Sequence, residues 1–233
     1  YLTSEVAQRG YTRIDLNMGC SFPMQAKHGR GAGLLAQTDI IRSIAQAIEE
    51  RPQIQFSVKM RLGWEDKDEW LEVLNALPLT HITLHPRIGT QQYKGEVDME
   101  SFRAFYEACR HPLVYNGDIH TLADIRSMEE AYPRMAGVMI GRGLLARPSL
   151  AIEYATGQEW SPEKRRKLMT DLHQALMEHW QPLMNSDAQL LNKLRTFWEY
   201  AEEEIGRKLY KKLMKSGSLK NYLSAIREIT HNS

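Results

Sequence analysis

The chain is 233 residues long, 42% hydrophobic and 25% charged, with 15 Gly, 9 Pro and only 2 Cys. Those proportions exclude a disordered tail, a collagen-like or low-complexity polymer and a disulfide-stapled mini-domain. The 30 basic and 29 acidic side chains leave a formal charge of +1, so the overall balance names no nucleic-acid partner, and no apolar run approaches the roughly 18 residues of a membrane span, which predicts a soluble protein.

Tyr1 to Gly10 shows neither the basic start nor the apolar stretch of a signal peptide, and no initiator Met. Arg13–Asn17 then reads as a first strand. Ile40, Ile41, Ile44, Ala47 and Ile48 recur at helical spacing, and Ile54–Met60 is strand-like again. Trp70, Leu71, Leu74 and Leu77 predict a second helix, followed by strands at His81–His85 and Pro112–Asn116. Thr121-Leu-Ala-Asp124 has the spacing of a capping box at a helix start, and Ala136–Ile140 closes the series as a fifth strand. Each strand is a short, mostly apolar run, the pattern expected where both faces are covered. Strand alternating with helix predicts parallel β with crossover helices.

The pattern changes near residue 157. Ser161-Pro162-Glu163 marks a fresh helix, hydroxyl as cap and Pro in the first turn. Only helical periodicity follows, through Leu168, Leu172, Leu176, Leu190, Leu194, Trp198, Leu219, Tyr222 and Ile226. The expected division is an α/β domain over 1–157 and a helical bundle over 158–233. Five βα units are too few for a closed (β/α)₈ barrel, which takes about 250 residues. Either the sheet is open and doubly wound, or it belongs to a barrel whose first three units precede Tyr1.

Polar and glycine residues cluster just after the predicted strands: Asn17-Met-Gly-Cys20, Lys59-Met-Arg-Leu-Gly63, His85-Pro-Arg87, Asn116-Gly-Asp118 and Gly141-Arg-Gly143. Parallel strands bring these ends to one face, where α/β folds bind ligands. Asn116-Gly117-Asp118 and Gly141-Arg142-Gly143 suit a phosphate, through exposed backbone N–H groups and a guanidinium, or else simply make tight βα turns. Lys59, ending a buried strand, is costly unless it meets an anion or an electron-rich ligand. Cys20 and Cys109 have no metal-ligand spacing. They predict unpaired thiols in a reducing compartment, and no metal site.

The ordered set of motifs resembles the flavin-dependent tRNA-dihydrouridine synthase family. Asp15-Leu-Asn-Met-Gly-Cys-Ser-Phe-Pro-Met-Gln-Ala-Lys-His-Gly-Arg-Gly-Ala-Gly-Leu-Leu35 carries the likeness most densely. Val58-Lys-Met-Arg-Leu-Gly63, His85-x-Arg87 with Gln91-x-Tyr93-x-Gly95, Asn116-Gly-Asp-Ile119 and Met139-Ile-Gly-Arg-Gly143 follow in order. The resemblance implies a TIM barrel carrying FMN, of which this chain holds the last five βα units, and then an all-α tRNA-binding domain. It implies that NADPH reduces the flavin, that hydride reaches C6 of a uracil, and that Cys20 protonates C5 to give 5,6-dihydrouridine. A thiol suits that role, being largely protonated at neutral pH yet able to release its proton. The same resemblance implies that Asn17 binds the uracil while Lys59 and His85 contact the isoalloxazine. Asn116, Gly117, Asp118, Gly141 and Arg142 would hold the ribityl phosphate, and Lys27 and Arg87 would line the substrate mouth. It further implies a cytoplasmic monomer.

Departures from the family pattern are Ser21 in place of a Pro, Pro86 in place of a Gly, and Ile88-Gly89 in place of Thr-Arg. Beyond Ile205 the tail has seven basic residues against Glu228 alone. Lys208, Lys211, Lys212 and Lys215 share one helical face there, with Tyr210 and Tyr222 as stacking candidates. Such a stripe either tracks an RNA backbone or is a solvated helix face. Two other readings stand beside the main one: a flavin reductase of free pyrimidines resembling dihydroorotate dehydrogenases, and a non-catalytic RNA-binding module.

Overall fold

A computed structural model of the chain describes residues 2–66 and 70–231. Among them, five strands form one parallel sheet: β1 (Arg13–Met18), β2 (Gln55–Arg61), β3 (Leu79–His85), β4 (Leu113–Tyr115) and β5 (Gly137–Val138), in the spatial order β1-β2-β3-β4-β5. Helix α1 (Leu2–Gln8) precedes β1. Helix α2 (Pro23–Lys27), a 3₁₀ segment at Gly31–Ala36 and α3 (Thr38–Glu49) connect β1 to β2. The later crossovers are α4 (Leu71–Ala76), α5 (Met99–Ala108) and α6 (Leu122–Ala131). Consecutive strands are thus neighbours throughout, the arrangement that short crossover connections favour.

The remainder is helical: α7 (Arg142–Ala146), α8 (Leu150–Thr156), α9 (Pro162–Trp180), α10 (Asp187–Arg195), α11 (Glu202–Ile205), α12 (Arg207–Met214) and α13 (Leu219–His231). The chain packs as two compact units, 1–117 with 127–139, and 118–126 with 140–233. None of the described helices is long and apolar enough to cross a membrane.

Local chemistry accounts for several boundaries. The Thr121 amide donates to Asp124 Oδ2 at 2.8 Å while the Asp124 amide donates to Thr121 Oγ1 at 3.1 Å, the reciprocal capping box that starts α6. Ser161 Oγ accepts from the Lys164 amide at the start of α9, with Pro162 in its first position.

The outer strand β1 departs from the expectation of strands covered on both faces, whereas β2 and β3 are largely buried on both, with polar side chains on one of the two faces. In β2, Phe56, Val58 and Met60 point one way and Gln55, Ser57, Lys59 and Arg61 the other. Register extends the polar face sideways: Asp15 pairs with Ser57, Asn17 with Lys59, Lys59 with Thr83 and Arg61 with His85. Ser57 Oγ donates to Asp15 Oδ1 at 2.7 Å. The opposite face is core: Met60 and Leu84 look onto Ala104 and Phe105 of α5. β1 shows the contrast most plainly, with Arg13, Asp15 and Asn17 exposed and Met18 buried. As an edge strand it has a neighbour on one side only.

In the helical unit, Met169, Leu190, Leu194, Trp198, Leu213 and Ile229 belong to one apolar core. Tyr222 lies inside it, its hydroxyl sharing a hydrogen bond with His173 Nε2 at 2.7 Å and accepting from Trp198 Nε1 at 3.0 Å. Tyr222 is therefore not the stacking surface expected from sequence, because its ring is wholly buried. Burial holds the His173 imidazole neutral, with its pKa lowered to about 4.

Candidate active site at the strand ends of the sheet unit

The loop after β1 is held from within. Asn17 Oδ1 accepts from the Gly19 amide at 3.0 Å, leaving the Asn17 amide N–H groups as donors. Cys20 follows, half-buried and unbridged, and its carbonyl accepts from the Ala32 amide at 2.9 Å. Gly31 makes that approach feasible. Its φ is +57°, and a methyl group there would lie 2.5 Å from the Cys20 carbonyl oxygen and 2.6 Å from its Cβ. The glycines downstream of Cys20 thus let two stretches of backbone touch and fix the base of the thiol.

Lys59 projects from the next strand. A methyl on Gly19 would sit 3.6 Å from Lys59 Nζ, so the ammonium reaches the Asn17–Cys20 loop. Burial first, then the Arg61 charge, pulls its pKa below the ordinary lysine value, against Asp15 and Cys20, which favour the cation. Thr83, its register partner, is fully buried, and Thr83 Oγ1 has no hydrogen-bond partner among the described residues.

Arg61 was not singled out from sequence as a site residue, although it lies two positions after Lys59 on the same strand face. It is only 2% exposed. Its Nε donates to the Gly19 carbonyl at 3.0 Å, and Nη1 donates to the carbonyls of Ile88 and Gln92 at 3.1 and 2.7 Å. Its guanidinium carbon stands 5.4 Å from the Tyr93 ring centroid. One side chain therefore ties the Cys20 loop to the loop after β3. The signal in sequence was the polar alternation of Gln55, Ser57, Lys59 and Arg61, but the partners lie 27 to 42 residues away.

His85 ends β3 in a buried position. Its Nδ1 is 2.5 Å from the Asn116 carbonyl, which can only accept, so Nδ1 carries the hydrogen and Nε2 is the acceptor. Arg87 Nη1 lies 3.4 Å from that Nε2, and Arg87 Nη2 donates to the Gly95 carbonyl at 2.6 Å. Burial is the main reason that the His85 pKa falls to about 4, and the cations Arg61, Lys59 and Arg87 add to it. Arg87 is itself buried, beneath the loop that it braces. Asn116 donates through Nδ2 to the Met139 carbonyl at 2.8 Å. Gly117 is needed for packing: a methyl there would come 2.7 Å from Tyr115 Oη. Lys27 is exposed at the end of α2. The sheet unit thus gathers Asn17, Cys20, Lys59, His85, Arg87 and Asn116 at the carboxyl ends of β1 to β4.

In the helical unit, Arg142 Nη2 donates to Asp118 Oδ1 at 2.9 Å, so the guanidinium expected to face a phosphate is already paired with a carboxylate. Gly141 precedes α7, a helix of only five residues. Along α12, Lys208, Lys211 and Lys215 are exposed, whereas Lys212 is engaged in an ion pair with Glu228.

Hydrogen-bond donors are thus collected near the ends of successive parallel strands of an α/β unit, beside a thiol. The family model described as Dihydrouridine synthase (Dus) matches residues 2–230, and the chain belongs to that family. A tRNA-dihydrouridine(16) synthase of Neisseria meningitidis serogroup A is 32% identical over 165 residues, 69% of this chain and 49% of the relative. One from Pseudomonas putida is 28% identical over 197 residues, covering 82% and 55%. A probable tRNA-dihydrouridine synthase of Rickettsia bellii is 28% identical over 176 residues, covering 74% and 54%. The chain spans about half the length of the curated relatives it matches. Among solved structures, Morphinone reductase aligns with a TM-score of 0.42 and 14% identity over 67% of this chain and 46% of that one, a likeness too low to bear on the fold.

Proposed function

We propose that the whole protein reduces uridine in tRNA to 5,6-dihydrouridine, with FMN as cofactor and NADPH as reductant. The observation that carries this reading is the family match over nearly the whole chain, joined to a cysteine and a half-buried lysine at the ends of neighbouring strands. The donor set fits a flavin. The Lys59 ammonium and the Asn17 amide are donors at one end of the polar face, and Thr83 Oγ1 is a buried hydroxyl without a partner there. An isoalloxazine offers the acceptors that such a set demands.

Lys59 and His85 would hold the ring, and Asn116, Gly117, Asp118, Gly141 and Arg142 keep their assignment to the ribityl phosphate. The chemistry that the cofactor supplies when bound is a hydride for C6 of the uracil. Asn17 orients that base by hydrogen bonding, and the Cys20 thiol gives its proton to C5, so the reduction balances as one hydride and one proton. Arg61 and Gly31 hold the thiol's loop in place. Lys27 and Arg87 serve the mouth of the site, Arg87 by bracing the loop around Gly95.

In this proposal the five-stranded sheet is part of a (β/α)₈ barrel, and residues 158–233 form the tRNA-binding domain, with Lys208, Lys211, Lys212 and Lys215 toward RNA. A monomer acting in the cytoplasm goes with it. The relatives named for position 16 make uridine 16 the first position to examine.

The test is to incubate the whole protein with FMN, NADPH and an unmodified tRNA transcript, and to map the product by mass spectrometry. Dihydrouridine in the tRNA is the expected result. Turnover of free uracil or orotate in its place would move the protein to the small-molecule reductases, and absence of flavin uptake would leave an RNA-binding module.

A further inference from the structure

We infer that Phe22 is a stacking platform for a nucleobase of the RNA substrate, next to the base being reduced. This inference rests on the RNA-modifying reading above. Phe22 is the N-cap of α2, where Ser, Thr, Asp or Asn would satisfy a backbone amide and a phenyl ring cannot. The ring has no compensating place in the core: Phe22 is 56% exposed, and Met24 one turn-position on is 62% exposed. The N-cap preference is thus unmet, and functional sites are where such local rules are broken.

The backbone under the ring is nevertheless fixed. The Phe22 carbonyl accepts from the amides of Gln25 and Ala26 at 3.0 and 3.1 Å, and the preceding Ser21 is buried. A fixed, exposed aromatic loses little freedom when it stacks. It stands two residues after Cys20, so whatever covers it is a neighbour of the reacting group along the chain.

Charge selects the occupant. From Leu16 to Thr38 the sequence has no Asp or Glu, while Lys27, His28 and Arg30 are all exposed. An aromatic face followed in sequence by the exposed cations Lys27 and Arg30, with no carboxylate from Leu16 to Thr38, matches a single-stranded polyanion whose bases can stack, and RNA with a base turned out is such a ligand.

The experiment compares Phe22→Ala, Phe22→Leu and Phe22→Tyr in the whole protein, with the tRNA dissociation constant measured over a range of salt concentrations. The Ala and Leu variants are expected to bind about 5- to 150-fold more weakly and Tyr within about 2-fold of the parent, as base–aromatic stacking predicts. The salt slope stays constant in all three, whereas Lys27→Ala lowers it by about one. Equal binding by Phe, Leu and Tyr would replace stacking with a plain apolar contact and overturn the inference, as would no change in the Ala variant. If the Ala variant fails to fold, the Leu–Tyr pair decides. A parent protein that binds tRNA yet forms no dihydrouridine would defeat the catalytic reading alone, since the binding comparison stands without it.

Discussion

In the helical unit several buried polar groups answer one another. His173, Tyr222 and Trp198 form a closed hydrogen-bond chain. Glu153, fully buried, accepts from Arg147, from Ser149 and from the Trp160 amide; burial alone would raise its pKa, but these partners hold it down to about 2. The polar face of the sheet unit is different. Lys59 is half-buried, its pKa lowered by burial and by Arg61 against Asp15 and Cys20, and Thr83 Oγ1 lacks a partner among the described residues. Both units leave single buried polar atoms unpaired among the described residues, but one does so at Arg195 Nε and Glu204 Oε1 within the helical unit, and the other at Thr83 Oγ1, in register with Lys59 near the strand ends. Functional sites are places where an unpaired group beside a lysine of lowered pKa is tolerated.

The sharpest way to break the contrast is through Cys20. Cys20→Ala is expected to lower dihydrouridine formation by about 10²- to 10⁴-fold, the usual worth of a positioned general acid, while tRNA affinity measured by filter binding is retained. Product formation at the parent rate would remove the thiol from the mechanism.

Acid stability tests the helical side. His173 has its pKa lowered in the folded state, so the unfolded chain takes up the proton first as pH falls. Its stabilisation is full above about 6.5 and lost toward about 4, a change on the order of 3 kcal/mol. Denaturant melts across that range measure it. His85 titrates in the same window, so His173→Gln is expected to remove only the helical share of the slope.

Tyr222→Phe is expected to cost about 2 kcal/mol in the same melts, because it strands the Trp198 N–H and His173 Nε2 in the core. Lys59→Met should have the opposite sign, stabilising the cofactor-free protein by up to about 1 kcal/mol through relief of buried charge, while flavin affinity from absorbance titration declines. A destabilised Lys59→Met protein would mean that the lysine is architecture. The smallest effect is expected at the exposed stripe: Lys211→Ala should weaken tRNA binding less than about 3-fold and reduce the salt slope by about one. Lys212→Ala adds a local loss, because Lys212 is paired with Glu228.

Local signals carried most of the fold. Each of the five strands lies within three residues of its expected limits at either end, and Thr121–Asp124 and Ser161 cap their helices, because turn chemistry and strand length are written in adjacent residues. The candidate site was partly legible for the same reason: Cys20 follows β1, Lys59 lies two residues before the end of β2, and His85 ends β3. Arg61 was not, since its significance lies in carbonyls of Gly19, Ile88 and Gln92 that only folding brings near. The two-sided burial expected of the strands held along most of β2, where buried Ser57 and Arg61 alternate with buried Phe56, Val58 and Met60, and failed in β1, where Arg13, Asp15 and Asn17 are exposed. Tyr222 failed differently: a tyrosine beside basic residues looks like a stacking group until a core histidine and tryptophan claim its hydroxyl.

A crystal structure of the whole protein with FMN tests the central claim most directly. The account predicts the flavin over the carboxyl ends of β1 to β3, with Lys59 Nζ hydrogen-bonded to its pyrimidine edge and the Cys20 sulfur on the open side of the ring. A flavin bound elsewhere, with Lys59 and Cys20 turned away from it, would contradict the account.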